Sequence, residues 1–270
     1  MTRVEAVIFD WAGTTVDHGS RAPVRALTEV FRRQGISVSD ADARKDMGVF
    51  KRDHIARILA MPQIADQWRG THRAPPIDGD VDRLFAEFLP EQIKVLDDCS
   101  EVIEGVAEVT SRLRARHLRI GSTTGYTRSM LDVLVARARA QGYETDIALC
   151  PDDVGGGRPH PWMCLKIALA FGVSATAAVI KVGDTVSDID EALNAGMWAV
   201  GVAATGNEIG LSAGELAALT VDDRQRRLTI ARERLRAAGA HYVIDSAAAI
   251  EPIVEAIDQR LSAGDRPLEP

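Results

Sequence analysis

Short apolar runs alternate with stretches of helical period along most of the chain. The first run, residues 4–9 with Glu5 as its only charge, reads as a buried parallel strand that stops at Asp10. Residues 23–34 follow with Val24, Leu27, Val30 and Phe31 on one face and Gly35 at the end, the pattern of an amphipathic helix. No strand of period two comes next. Residues 39–98 are helical in pattern throughout, interrupted by Met61-Pro62 and by Arg73-Ala74-Pro75-Pro76, which predicts helical segments over 39–58, 62–70 and 79–95. From Val102 the alternation returns. Helices are expected over 102–116, 127–141, 161–171, 187–195, 222–238 and 247–261, and strands over 118–122, 146–150, 179–182, 198–202 and 241–244. Such alternation implies right-handed βαβ units and a parallel sheet covered on both faces, so the class is α/β. The helical excursion reads as an inserted all-helical cap over residues 20–99, with the core formed by 1–19 and 100–262 and a disordered tail at 263–270.

Composition narrows the class without changing it. With 270 residues, 46% hydrophobic and 26% charged, the chain has ample core material for a globular protein. A formal net charge of -7 gives no footprint for nucleic acid or an anionic membrane. Cys99, Cys150 and Cys164 are odd in number and scattered, so neither a disulfide framework nor a zinc site is indicated. Neither a signal peptide nor an apolar run of membrane-spanning length is found, and a cytoplasmic protein is expected.

The chemistry collects where strands end. Asp10 opens Asp10-Trp11-Ala12-Gly13-Thr14-Thr15 and stands at the sheet edge where α/β proteins bind ligands, although by itself it could also be a turn-capping residue. Gly121-Ser122-Thr123-Thr124-Gly125-Tyr126-Thr127 leads from a strand into a helix, a phosphate-shaped site in which Thr124, with Thr123 beside it, is the candidate for an anionic oxygen. Gly155-Gly156-Gly157-Arg158 offers close backbone approach and a fixed charge suited to phosphoryl oxygens. In Gly183-Asp184-Thr185-Val186-Ser187-Asp188 two carboxylates four residues apart can join Asp10 in an all-oxygen site for Mg²⁺. In the cap, Met47, Lys51 and His54 fall at offsets of four and three, on one face of a helix. A lysine among weakly polar neighbours and other cations has a lowered pKa and can attack a carbonyl; the plainer alternative is a solvated helix lysine, as expected for Lys45.

The stretch around Asp10, with the three later strand ends, resembles the haloacid dehalogenase superfamily of phosphotransferases, in which the first Asp attacks phosphorus. One departure is informative: most phosphatases of that superfamily carry a second Asp two residues on, as general acid, and this chain has Ala12. The Asp-Trp-Ala-Gly-Thr-Thr-Val-Asp opening, Met47-Gly48 with Lys51 and His54, Gly121 to Arg128, Gly157-Arg158-Pro159 with Pro161-Trp162-Met163-Cys164, and Lys181 to Asp188 with Asn194-Ala195-Gly196-Met197-Trp198 together resemble the phosphonatase family. The resemblance implies a Rossmann-like parallel sheet with a helical cap and cleavage of the carbon–phosphorus bond of phosphonoacetaldehyde to acetaldehyde and phosphate. It also implies a Schiff base on Lys51, nucleophilic attack by Asp10, and Mg²⁺ held by a set comprising Asp10, Ala12, Asp184 and Asp188. Ala12, Met47, Gly48, His54, Thr124, Tyr126 and Arg158 are implied as substrate-binding or supporting residues. A small phosphonate is then the partner, the chain is expected to be a homodimer, and the setting is 2-aminoethylphosphonate degradation. Ser20 departs from the Cys of some family members. Three other classes compete: a phosphatase or phosphoglucomutase, opposed by Ala12 and Lys51; a non-catalytic phosphometabolite binder, which should have lost Asp10 or the Asp184–Asp188 pair; and a Schiff-base aldolase, which would need no metal site.

Overall fold

The computed structural model describes residues 3–267. Six strands form one sheet in which every pairing is parallel: β1 (Ala6–Phe9), β2 (Arg119–Thr123), β3 (Ile147–Leu149), β4 (Val179–Gly183), β5 (Trp198–Val202) and β6 (Tyr242–Ile244). Their spatial order is β3-β2-β1-β4-β5-β6. The chain thus grows outward on one side of β1, then returns to start β4 on its other side. That reversal is a topological switch point, where loops diverge and leave a crevice. Register does the rest. Phe9 lies opposite Ser122 and Val182, so Asp10, Thr123 with Thr124, and Asp184 all emerge at the same sheet edge.

The strand pleat divides β1 between two cores. Val7 and Phe9 pack into the larger cluster, while Ala6 and Ile8 face Met163, Cys164 and Ile167 on the other side. Both faces are covered, which is why β1, β4 and β5 read as nearly continuous apolar runs.

Between β1 and β2 the chain is helical: α1 (Arg21–Arg33), α2 (Asp40–Arg44), α3 (Lys51–Ala60), α4 (Pro62–His72) and α5 (Asp78–Leu96), then α6 (Val106–Ala115) back in the sheet layers. The remaining helices are α7 (Arg128–Ala140), α8 (Trp162–Phe171), α9 (Val186–Asn194), α10 (Ala213–Ala217), α11 (Val221–Ala237) and α12 (Glu251–Ser262). Helices α1 and α5 pack along each other, and α5 also packs on α3. The buried stripe of α5 is Val81, Leu84, Phe88, Gln92 and Val95, helical spacing with one polar member. Among the described residues, no helix is long and apolar enough to cross a membrane.

Four local expectations change. The helical segment over 39–58 is two helices, because Gly48 adopts φ 92° and the chain turns there; Met47 therefore does not share a helix with Lys51. The helix expected from Val102 begins at Val106, behind Gly105 at φ 80°, and Val102 instead bridges Val16. Helix α10 has no counterpart in the sequence reading; Ser212 caps it in a capping box with Glu215. The last helix starts at Glu251 after a 3₁₀ turn at Ala247–Ala249, with Pro252 in its first turn. In the segment expected to be a tail, Asp265 pairs with Arg260, and residues 268–270 lie outside the described residues.

Leu84→Ala removes a fully buried side chain between α5 and its neighbours. It is expected to lower unfolding free energy in urea by about 2–5 kcal/mol, with circular dichroism as the readout.

Candidate active site

A narrow cavity opens at the switch point, lined by Asp10, Ala12, Ser20, Met47, Gly48, Lys51, Thr124, Tyr126, Arg158 and Asp184 among others. Core and cap both contribute. The turn that carries Met47 and Gly48 is pressed onto the core so closely that a side chain at Gly125 would meet Val49 O at 2.6 Å and Gly48 O at 2.8 Å. A side chain at Gly48 would likewise meet Thr185 Oγ1 at 2.4 Å.

Ligand atoms of Asp10, Asp184 and Asp188 lie within 4.8 Å of one another, and all three residues are buried. Arg158 Nη2 donates to Asp10 Oδ1 at 2.8 Å and approaches Asp188 Oδ1 at 3.0 Å, while its Nε donates to Glu191 at 2.8 Å. Lys181 Nζ donates to Asp188 Oδ1 at 2.6 Å and lies 3.7 Å from Glu191. Asp184 accepts only neutral donors among the described residues, the Thr14 hydroxyl at 3.1 Å and the Asn207 amide at 2.7 Å. Four buried carboxylates, Asp10, Asp184, Asp188 and Glu191, therefore face two cations, Arg158 and Lys181. The carboxyl without a cationic partner among the described residues is Asp184.

The proton affinities follow that arrangement. Burial, with the Asp188 charge, pushes Asp10 up to about 6 against the pull of Arg158 and Lys181. Burial and the two neighbouring carboxylates push Asp184 well above the usual carboxylate range. Asp188 is equally buried, yet Arg158 and Lys181 outweigh that penalty and hold it low. Three converging carboxylates, one without a cationic partner, fit a hard divalent cation with oxygen ligands. Ala12 lines the cavity but has only main-chain atoms to offer such an ion.

Lys51 is 2% exposed at the start of α3, and its Nζ lies 3.5 Å from Met47 Sδ and 5.9 Å from the centre of the Tyr126 ring. The thioether neighbour foreseen from the spacing is there, delivered by a turn rather than by a shared helix. Burial lowers the Lys51 pKa to about 8, with Arg158 adding to the shift and Asp10 opposing it. Tyr126 accepts a hydrogen bond from Gln92 Nε2 at 3.3 Å, and burial raises its pKa well above the usual value, so it stays protonated. His54 is fully buried beside the cavity rather than lining it, and burial followed by the Lys51 charge keeps it neutral.

Two expectations about the loops are revised. The first amide of α7, at Arg128, is taken by Asp152 at 2.7 Å, so that donor is not free for an anion. Of the two threonines, Thr124 lines the cavity, whereas Thr123 Oγ1 is occupied between Arg158 and Glu191. Two of the glycines before Arg158 make room for neighbouring residues: a side chain at Gly156 would strike the Trp162 ring at 2.4 Å, and one at Gly157 would meet Phe50 Cβ at 3.0 Å.

Comparison with known proteins decides the family. Residues 4–196 match the haloacid dehalogenase-like hydrolases. A phosphonoacetaldehyde hydrolase of Paraburkholderia phytofirmans is 45% identical over 267 residues, covering 99% of this chain and all of that one. One of Bacillus cereus is 44% identical over 260 residues, covering 96% and 98%. The chain belongs to this family. It is a hydrolase, and its fold is that of the family: the crystal structure of a phosphonoacetaldehyde hydrolase like protein from Oleispira antarctica superposes with a TM-score of 0.96, at 42% identity and covering 98% and 96% of the two chains.

Within the family site, the sequence reading passed over Lys181, Glu191 and Gln92. Signals existed for two of them. Lys181 is a lone charge inside the apolar strand Val179-Ile180-Lys181-Val182, and Gln92 is the polar member of the α5 stripe; either pattern marks a buried polar group that needs a partner. Glu191 is one helix residue among several acids, and only the fold reveals that it faces Arg158.

Lys181→Met leaves Asp188 and Glu191 sharing Arg158 alone. The expected cost is about 3–5 kcal/mol of stability, read from the urea midpoint of the metal-free protein. An unchanged midpoint would mean that this charge is not needed to hold the cluster.

Proposed function

We propose that the chain hydrolyses the carbon–phosphorus bond of phosphonoacetaldehyde, using a Schiff base on Lys51 and an aspartyl phosphate on Asp10. The observation that carries this reading is that a lysine amine and a nucleophile-type carboxylate line one cavity, in which Ala12 stands where an acid for an oxygen leaving group would be. Carbon leaving phosphorus as a carbanion is not rescued by a side-chain acid. An imine removes the difficulty.

In this reading Lys51 Nζ adds to the aldehyde carbon and water departs, leaving a protonated imine. Asp10 then attacks phosphorus in line; the electron pair of the carbon–phosphorus bond moves toward the imine nitrogen, and the organic fragment leaves as a neutral enamine. Protonation of the enamine carbon and hydrolysis of the imine release acetaldehyde and free Lys51, while a second water cleaves the aspartyl phosphate. Arg158 and Thr124 bind the phosphonyl oxygens where charge develops. Tyr126, Met47, Gly48 and His54 shape the surroundings of Lys51. A divalent cation, Mg²⁺ by chemistry and by the family resemblance, would be held by Asp10, Asp184 and Asp188, with Ala12 beside them, and would supply charge neutralisation for an anionic substrate entering an anionic site.

Residues 20–99 act as the cap on a core of 1–19 and 100–262, hinged near Gly19 and Ser100. Positive φ angles at Asp17, Gly19 and Ser20 support the first hinge. The setting proposed with this activity is 2-aminoethylphosphonate degradation by a cytoplasmic homodimer, for which the family resemblance is the support.

Treatment with phosphonoacetaldehyde, Mg²⁺ and borohydride is expected to leave a reduced adduct on Lys51, mapped by mass spectrometry. Asp10→Asn should keep the adduct while losing about a thousandfold or more in phosphate release. Lys51→Arg should lose both; full turnover in that variant returns the chain to the phosphatase class.

The pH profile gives a separate check. With the Lys51 pKa lowered to about 8, the neutral amine is fully available above that pH and lost as pH falls below it. At pH 7 about a tenth is neutral, against well under about a thousandth for an ordinary lysine. The adduct-forming rate should rise up to about pH 8 and then level; a rise continuing to pH 10 would show an unshifted lysine.

A further inference from the structure

Arg44 ends α2 on the cap side, yet its guanidinium is spent on the core. Nη1 donates to Gly19 O at 2.8 Å, to Ser20 O at 3.2 Å and to Asn207 Oδ1 at 3.1 Å, and Nη2 donates to Gly210 O at 3.1 Å. Asn207 returns the contact through Nδ2 to Arg44 O at 3.2 Å. The receiving loop is shaped for this group: Gly210 adopts φ 69°, and a side chain there would stand 2.6 Å from Arg44 Nε. Only a planar fork can serve acceptors spread over two chain segments in this way.

Two features make this more than a surface contact. Asn207 is 4% exposed, and its main-chain amide is a donor to Asp184 Oδ2 at 2.7 Å. Asp184 is the carboxylate of the cluster with no cationic partner among the described residues. In the other direction, the six residues after Arg44 form the turn that carries Met47 and Gly48 into the cavity and leads to Lys51. One arginine therefore grips the first linker, the loop that orients Asp184, and the start of the segment that delivers the amine.

We propose that the Arg44–Asn207 pair is a latch that couples closure of residues 45–50 over the cavity to the orientation of Asp184 in the cation site. Arg44 and Asn207 are positioning residues; neither touches the reacting atoms. The inference rests on the cation site proposed above. Linkage makes the coupling reciprocal: a cation that orders Asp184 and Asn207 steadies the cap turn, and an anchored turn tightens the cation. Partners that orient metal ligands carry about 10-fold or more in metal affinity.

The test follows Mg²⁺ alone, without turnover. Amide hydrogen exchange of residues 45–50 is measured with and without Mg²⁺, and Mg²⁺ affinity by calorimetry, in the unaltered chain, Asn207→Ala, Arg44→Lys and the double variant. Asn207→Ala keeps the main-chain amide to Asp184 and removes the side-chain link to Arg44. The expected result is that Mg²⁺ slows exchange in the turn of the unaltered chain, that Asn207→Ala abolishes this slowing and weakens Mg²⁺ about 10-fold, and that Arg44→Lys does the same to a smaller degree. The double variant should be no worse than Asn207→Ala. If Arg44→Lys does not fold, the Asn207→Ala result decides alone. Slowing that survives in Asn207→Ala, unchanged Mg²⁺ affinity, or purely additive losses would overturn the latch while leaving a Lys51 adduct and turnover intact. Failure of the unaltered chain to bind Mg²⁺ would overturn both the cation reading and the latch.

Discussion

The structure depends on keeping four carboxylates out of water at the switch point of a parallel sheet. Asp10, Asp184, Asp188 and Glu191 are buried together, and Arg158 with Lys181 neutralises only part of their charge. Such a cluster is costly to assemble and is tolerated where hydrogen bonds and cations hold the carboxylates in place. Strand ends supply that rigidity. Because β1 is flanked by β2 and β4 in fixed register, Asp10 cannot move without disturbing two ladders. Asp184, without a cationic partner among the described residues and with its carboxyl pushed well above its ordinary value, gives the cluster a donor set that fits a divalent cation rather than a sealed ion pair.

A second constraint comes from the cap. The proposed role of Lys51 as a nucleophile needs a dry amine, and Lys51 is buried where the turn at residues 45–50 lies against core glycines that allow no side chain. Gly125 and Gly48 thus act on the amine through packing: they let two backbones meet, and burial then lowers the cost of losing the lysine's proton. In the proposed reaction core and cap perform different halves of one problem. The core would handle phosphorus and its charge, and the cap the carbon that must leave. Ala12 is the mark of that division, since an acid beside Asp10 would have no oxygen to protonate.

Much of this was legible in the sequence because the relevant signals are local. Apolar runs ending in Asp10, Thr123 and Gly183-Asp184 announced parallel strands with polar tips, and the absence of any strand across 39–98 announced a helical insertion. Less legible were features set by tertiary contact. The offset of Met47 and Lys51 suggested a shared helix, but the left-handed conformation of Gly48 breaks it, and the two side chains still meet because the turn folds back. Glu191 and Asn207 carry no local signal at all; their roles exist only because α9 and the loop after β5 converge on Arg158 and Asp184. Lys181 was legible and passed over, a charge in the middle of a strand whose neighbours are buried.

In the proposed reaction, imine formation on the cap is what permits attack by the core carboxylate. Acid quench within a single turnover, followed by mass-spectrometric mapping of acyl phosphate, tests it most directly when the unaltered chain is compared with Lys51→Arg. The expected result is a phosphorylated Asp10 in the unaltered chain and none in the variant, although Asp10 itself is unchanged. Phosphorylation of Asp10 to the same level in both would contradict it, because the carboxylate would then displace carbon without help from the lysine.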